Sequence, residues 1–137
     1  MRSLRVPAGL FDSREYGFAH VTVIPTPLGE AIHVSGQVAW DADRNIVGQG
    51  DVARQLEKSL ENLATALKSV GARLDQVGAL RLYIKQSHMQ EGKAIGDTLK
   101  AVFGNNLPCS TWIGVPCLAR EEFLVEVEPS VVYLARD

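Results

Sequence analysis

Apolar residues recur three and four positions apart through Val52, Leu56, Leu60, Leu63, Leu67 and Val70, a spacing that predicts a long amphipathic helix. Gly50-Asp51 opens it with Asp51 as an N-cap, and Gly71 is its stop. A second helix is predicted from Met89 to Phe103, where Ile95, Leu99, Val102 and Phe103 are apolar but Gly92 and Gly96 lower the propensity. Gly104-Asn105-Asn106 ends it.

The remaining apolar runs are β-rich. Val21–Ile24 and Ala31–Trp40 flank Pro25-Thr26-Pro27-Leu28-Gly29-Glu30 and read as a hairpin, and Val77–Ile84 and Ser110–Val115 read as further strands. In Phe123–Tyr133 the residues Val125, Val127, Val131 and Tyr133 alternate with Glu126, Glu128 and Ser130, a period of two. Pro129 has no amide proton for a ladder, so an edge or a bulge is expected there. The order β-β-α-β-α-β-β implies an α+β fold, with two helices on one face of a single sheet. Several strands are apolar on both faces, and one helical layer covers only one of them. A closed homo-oligomer joined through the bare sheet face is the expected solution.

Composition narrows the class. With 137 residues, 46% hydrophobic and 22% charged, the chain reads as one domain, 1–137. A net charge of −2 with scattered basic residues gives no footprint for nucleic acid, which is not an expected partner. No run approaches a membrane span and no signal-type segment opens the chain, so no membrane partner and a cytoplasmic location are expected. Cys109 and Cys117 read as reduced thiols, too far apart along one extended segment to pair. No metal and no cofactor are expected, because there is no CxxC pair and His20, His33 and His88 lack a ligand spacing.

The candidate chemistry lies in Pro108-Cys109-Ser110-Thr111-Trp112-Ile113-Gly114-Val115, with Ser35-Gly36-Gln37 upstream and Glu126 downstream. Strand alternation puts the Ser110 hydroxyl and the Trp112 indole on one face. Gly36 suits a strand bulge, and Gln37 suits satisfaction of buried backbone groups. Gln55 and Asn62 share a helix face and are expected to anchor loops or a neighbouring subunit.

Ser35-Gly36-Gln37, Gln55, Ser59 and Asn62, Gly71, Pro108 and Leu124-Val125-Glu126-Val127-Glu128 together resemble the reactive-intermediate deaminase (Rid or YjgF) family, historically called L-PSP endoribonuclease, over about Tyr16 to Tyr133. The resemblance implies a chorismate-mutase-like fold, one mixed sheet with two helices, assembled as a homotrimer with small-molecule pockets at subunit interfaces. It implies hydrolysis of enamines and imines to a 2-oxo acid and ammonia. The family's carboxylate-binding arginine, two residues after the proline, is here Ser110. A small residue two further on is Trp112, a second-helix asparagine aligns to Gly96, and the family tyrosine aligns to Phe18, with Tyr16 nearby as a stand-in.

On this basis Glu126 is the candidate catalytic residue, and Phe18, Ser35, Gly36, Cys109, Ser110 and Trp112 are the candidate substrate-binding residues. A hydroxyl does not replace a guanidinium fork. With Arg120 in a loop and Arg81 on another strand, a carboxylate without a compensating cation implies a neutral or cationic ligand. The enzyme reading is a divergent hydrolase of a small imine, enamine or related C–N compound. The alternative is a trimer that binds or senses a metabolite without turnover. Ribonuclease activity finds neither a basic groove nor a His pair.

Overall fold

The computed structural model describes residues 1–136. Six strands, β1 (Ser3–Arg5), β2 (Val21–Thr26), β3 (Gly29–Val34), β4 (Val77–Lys85), β5 (Cys109–Val115) and β6 (Val125–Ala135), form one sheet with the two helices α1 (Val52–Lys68) and α2 (Gly92–Phe103). The strand order is β1-β2-β3-β6-β4-β5. Only β4 and β5 run parallel, which makes the sheet mixed. The helices lie together against one sheet face, where Leu56, Leu60, Leu63, Ile95 and Leu99 share a core with Leu80, Leu82, Val125 and Val127.

Asp51 caps α1 by accepting from the Arg54 amide at 3.0 Å. The left-handed Gly71 (φ 76°) lets the chain turn after Ser69, and the Ala72 amide donates back to Leu67 O. β6 is central, so Pro129 is tolerated by a bulge: Ala79 pairs with Val131 but Leu80 with Pro129, leaving Ser130 extra.

One strand end and one additional strand differ most from the sequence reading. The expected strand Ala31–Trp40 ends at Val34. There the Ser35 amide donates to His20 O, and Gln37 leaves the hairpin to exchange backbone bonds of 2.8 and 2.9 Å with Val127. The strand β1 was not foreseen, because three exposed residues carry no periodic signal. Among the described residues no helix is long and apolar enough to cross a membrane.

Candidate functional site

A polar stripe on the core side of α1 supports two loops. Gln55, fully buried, donates to Gly48 O at 3.1 Å and Glu122 O at 2.9 Å, and accepts from the Leu124 amide at 2.8 Å. Two turns along, Asn62 donates to both Val38 O and Trp40 O at 2.8 Å. Each satisfies backbone groups that have no ladder to join, and so fixes the segments 38–40 and 122–124. Both residues therefore anchor loops, as their shared face suggested.

Those segments carry the walls of a cavity of about 240 Å³, lined by Phe11, Tyr16, Phe18, Gly36, Val38, Trp40, Ala119, Arg120, Phe123 and Glu126. Its aromatic rings meet edge to face: Phe11 and Trp40 have centroids 5.2 Å apart, as do Trp40 and Phe123. Behind the wall, buried His20 stands 4.8 Å from the Phe11 ring. Its Nε2 lies 2.9 Å from Phe11 O, which calls for a proton on Nε2, and Gln37 Nε2 donates to the other ring nitrogen at 3.2 Å. That arrangement needs a neutral imidazole, and burial lowers its pKa accordingly. Gln37 thus has the satisfying role expected of it, its amide also donating to Ser35 O.

Among the described residues, Glu126 is the one carboxylate lining this cavity. It is partly buried, and its side chain makes no hydrogen bond or ion pair with any described residue. Burial first, and the Glu128 charge second, raise its pKa above the ordinary 4.5. Gly36 explains how it fits: a Cβ there would lie 2.7 Å from Glu126 Cδ. The missing side chain is the space in which the carboxylate lies.

Arg120 is the second charged group of the cavity, with its guanidinium 5.4 Å from the centre of the Trp40 ring. The cavity is therefore not a lone carboxylate, which corrects the expectation of a site without a cation. Arg81, the other arginine considered, pairs with Glu128 at 3.1 Å and is committed there. Tyr16 reaches the cavity wall beside Phe18, with its hydroxyl accepting from Arg44 at 3.0 Å.

The other candidates lie elsewhere. Ser35 points its hydroxyl at Ala19 O, 2.7 Å away, and borders a separate open groove with Arg2, Arg14 and Phe18. Ser110 and Trp112 do share a face, and the indole donates to the serine hydroxyl at 2.8 Å. They pair in register with Leu80 and Leu82, on the helix side of the sheet, whereas Glu126 pairs with Tyr83 on the opposite side. Their own cavity, about 340 Å³, includes Gly96, Leu99, Lys100, Leu107 and Pro108. Cys109 lies next in β5 on the side away from Ser110, exposed and free. Within one subunit the two halves of the predicted site are not in contact.

Sequence reasoning missed Phe11, Val38, Trp40, Ala119 and Phe123 as cavity residues. They come from irregular segments without periodicity, and the only hint was the expectation that Gln55 and Asn62 hold loops. Among the described residues no three His, Cys, Asp or Glu side chains gather into a metal-holding group.

Comparison with known proteins agrees with this architecture. A RutC family protein of Pyrococcus abyssi is 26% identical over 101 residues, covering 74% of this chain and 77% of that protein. A Rid-family protein of unknown function from Yersinia pestis, YyfB, has a crystal structure that superposes with a TM-score of 0.69 at 30% identity, covering 96% of this chain and 98% of that one. The Mycobacterium tuberculosis protein Rv2704, of the YjgF/YER057c/UK114 family, gives a TM-score of 0.78 at 24% identity, covering 98% of this chain and all of that one. Residues 17–133 match the family described as endoribonuclease L-PSP, and the chain belongs to that family, the Rid/YjgF proteins.

Proposed function

We propose that the Glu126 cavity is a small-molecule site that hydrolyses an imine or enamine. The observation that carries this is an unpartnered carboxylate of raised pKa inside an aromatic-walled cavity. Such a group is suited to take a proton from water as the oxygen attacks the C=N carbon, forming a carbinolamine. The protonated Glu126 gives that proton to the imine nitrogen, completing the neutral carbinolamine, and then carries the hydroxyl proton to the same nitrogen as the C–N bond breaks, so that a carbonyl compound and ammonia leave. Nothing is oxidised or reduced in this sequence.

The protein acts as a trimer in this reading. Support comes from β5, an edge strand paired only with β4 that leaves Trp112 exposed, and from the placement of Ser110 and Trp112 on the sheet face opposite Glu126. A neighbouring subunit is what would bring that edge to a Glu126 cavity. The test is ammonia release when the purified protein is added to an amino-acid oxidase generating fresh imines from several amino acids. Acceleration over the uncatalysed rate is expected for at least one side chain. No acceleration across the set, together with saturable binding of a carbonyl product, would favour a binding protein over an enzyme.

Gly36→Ala separates site from scaffold. The new Cβ meets the movable end of the Glu126 side chain and not backbone, so the fold should hold while the carboxylate shifts. Turnover is expected to fall roughly tenfold or more, with little change in the urea midpoint. Parallel losses of activity and stability would give Gly36 a purely structural role.

A further inference from the structure

We infer that Arg120 is a specificity-determining residue of the Glu126 cavity, and that it grips an anionic group on the ligand, a carboxylate above all. The inference rests on the reading of this cavity as a ligand site and adds the chemical class of what enters it. Three observations point there.

The first is that the guanidinium is held but not consumed. Its Cζ lies 5.4 Å from the centre of the Trp40 ring, and its side chain makes no hydrogen bond or ion pair with any described residue. The nearest acid in sequence, Glu121, is taken by Lys85 at 2.6 Å. An arginine placed over an indole keeps its planar fork ordered and loses less freedom when an anion arrives.

The second is that the backbone under it is fixed. Arg120 O accepts from the Phe123 amide at 3.2 Å, and Gln55 holds both Glu122 O and the Leu124 amide. Lys85 also donates to Glu121 O at 2.9 Å. The chain is thus tied to α1 and β4 immediately after Arg120, so its guanidinium is presented from a defined position and not from a free tail.

The third is the pairing of functions inside one small volume. Glu126 and Arg120 line the same cavity without forming an ion pair with each other, and the walls between them are aromatic. A ligand with an anionic end and an uncharged reacting centre complements that arrangement: the anion meets Arg120 and the centre meets Glu126. A purely cationic ligand would be opposed by Arg120, and a fully apolar one would leave the partly buried Glu126 carboxylate without a complement.

The experiment uses two carbonyl probes of similar shape, 4-methyl-2-oxopentanoate and the uncharged 4-methyl-2-pentanone, with binding measured by titration calorimetry on the full chain. The wild type is expected to prefer the oxo acid. Arg120→Gln should weaken the oxo acid at least about tenfold and leave the ketone unchanged, and Arg120→Lys should recover only part of the loss. Arg120 is exposed, so these variants should keep the wild-type thermal midpoint. Glu126→Gln should bind the oxo acid at least as well as the wild type, since it removes a like charge.

An unchanged oxo-acid to ketone ratio in Arg120→Gln would overturn the inference, and so would a wild type that does not bind the oxo acid. Because binding is read without turnover, the two claims fail separately. Oxo-acid binding that depends on Arg120 without imine hydrolysis would remove only the catalytic reading. Hydrolysis that is indifferent to Arg120 would remove only this inference.

Discussion

Glu126→Gln is expected to abolish imine hydrolysis and to make the protein more stable at neutral pH. The first effect follows from losing the only group in the cavity able to accept a proton from water, a role for which general-base catalysis contributes roughly a hundredfold or more. The second follows from linkage. The folded protein holds Glu126's proton to higher pH than the unfolded chain does, because burial disfavours the carboxylate and Glu128 adds a like charge. Below the ordinary pKa of 4.5 both states are protonated and there is no penalty. As pH rises through the interval between 4.5 and the raised value, the unfolded chain ionises first and the fold loses stability. Above that interval the penalty is complete. The glutamine cannot ionise, so at neutral pH its stability should exceed wild type, a gain that disappears on acidification. Urea denaturation at pH 7 and pH 4 measures this. A variant that is less stable at pH 7, or as active as wild type, contradicts the account.

The second large effect lies away from the cavity. Gln55→Leu is expected to destabilise the protein by about 2–4 kcal/mol, although leucine has a similar volume and lies in an apolar core. The leucine leaves Glu122 O and the Leu124 amide without their buried partner and removes the bond to Gly48 O. A buried polar group left unsatisfied costs more than a hydrogen bond gains. The same change should loosen the turn that carries Arg120 and Phe123, so amide exchange at Leu124 should speed up more than exchange in β4. A loss under about 1 kcal/mol, with Leu124 still protected, would mean that Gln55 does not hold this loop.

These two residues also mark how far the sequence could be read. The helix around Gln55 was legible because its leucines keep helical spacing and Asp51 and Gly71 punctuate it with simple capping chemistry. The order of elements and the resemblance to the Rid proteins carried the rest of the architecture. What failed were features set by tertiary pairing. The run Ala31–Trp40 is apolar throughout, yet its second half leaves the hairpin because Gln37 pairs with Val127 ninety positions away. Alternation placed Ser110 and Trp112 together, as their hydrogen bond shows. It could not say which side of the sheet they occupy, since that depends on the register with Leu80 and Leu82.

The candidate site was legible in the same uneven way. Gly36 and Glu126 were singled out, and the fold puts them in van der Waals contact. Phe18 was singled out as well and does line the cavity. Trp40 was given no site role, and Arg120 was set aside as a substitute cation because it sits in a loop; the two are eighty residues apart and meet only where Asn62 and Gln55 suspend their segments from one helix. No local pattern records such a meeting. The sequence reading favoured a site without a cation after the loss of the family arginine, whereas the Arg120 guanidinium lines the cavity.

The most direct measurement of the central claim is the rate of ammonia release from freshly generated imines at neutral pH, with wild type and Glu126→Gln in matched assays. The account predicts acceleration by the wild type and a rate at or near the uncatalysed one for the variant. Equal rates for the two proteins, whether both fast or both at background, would contradict it.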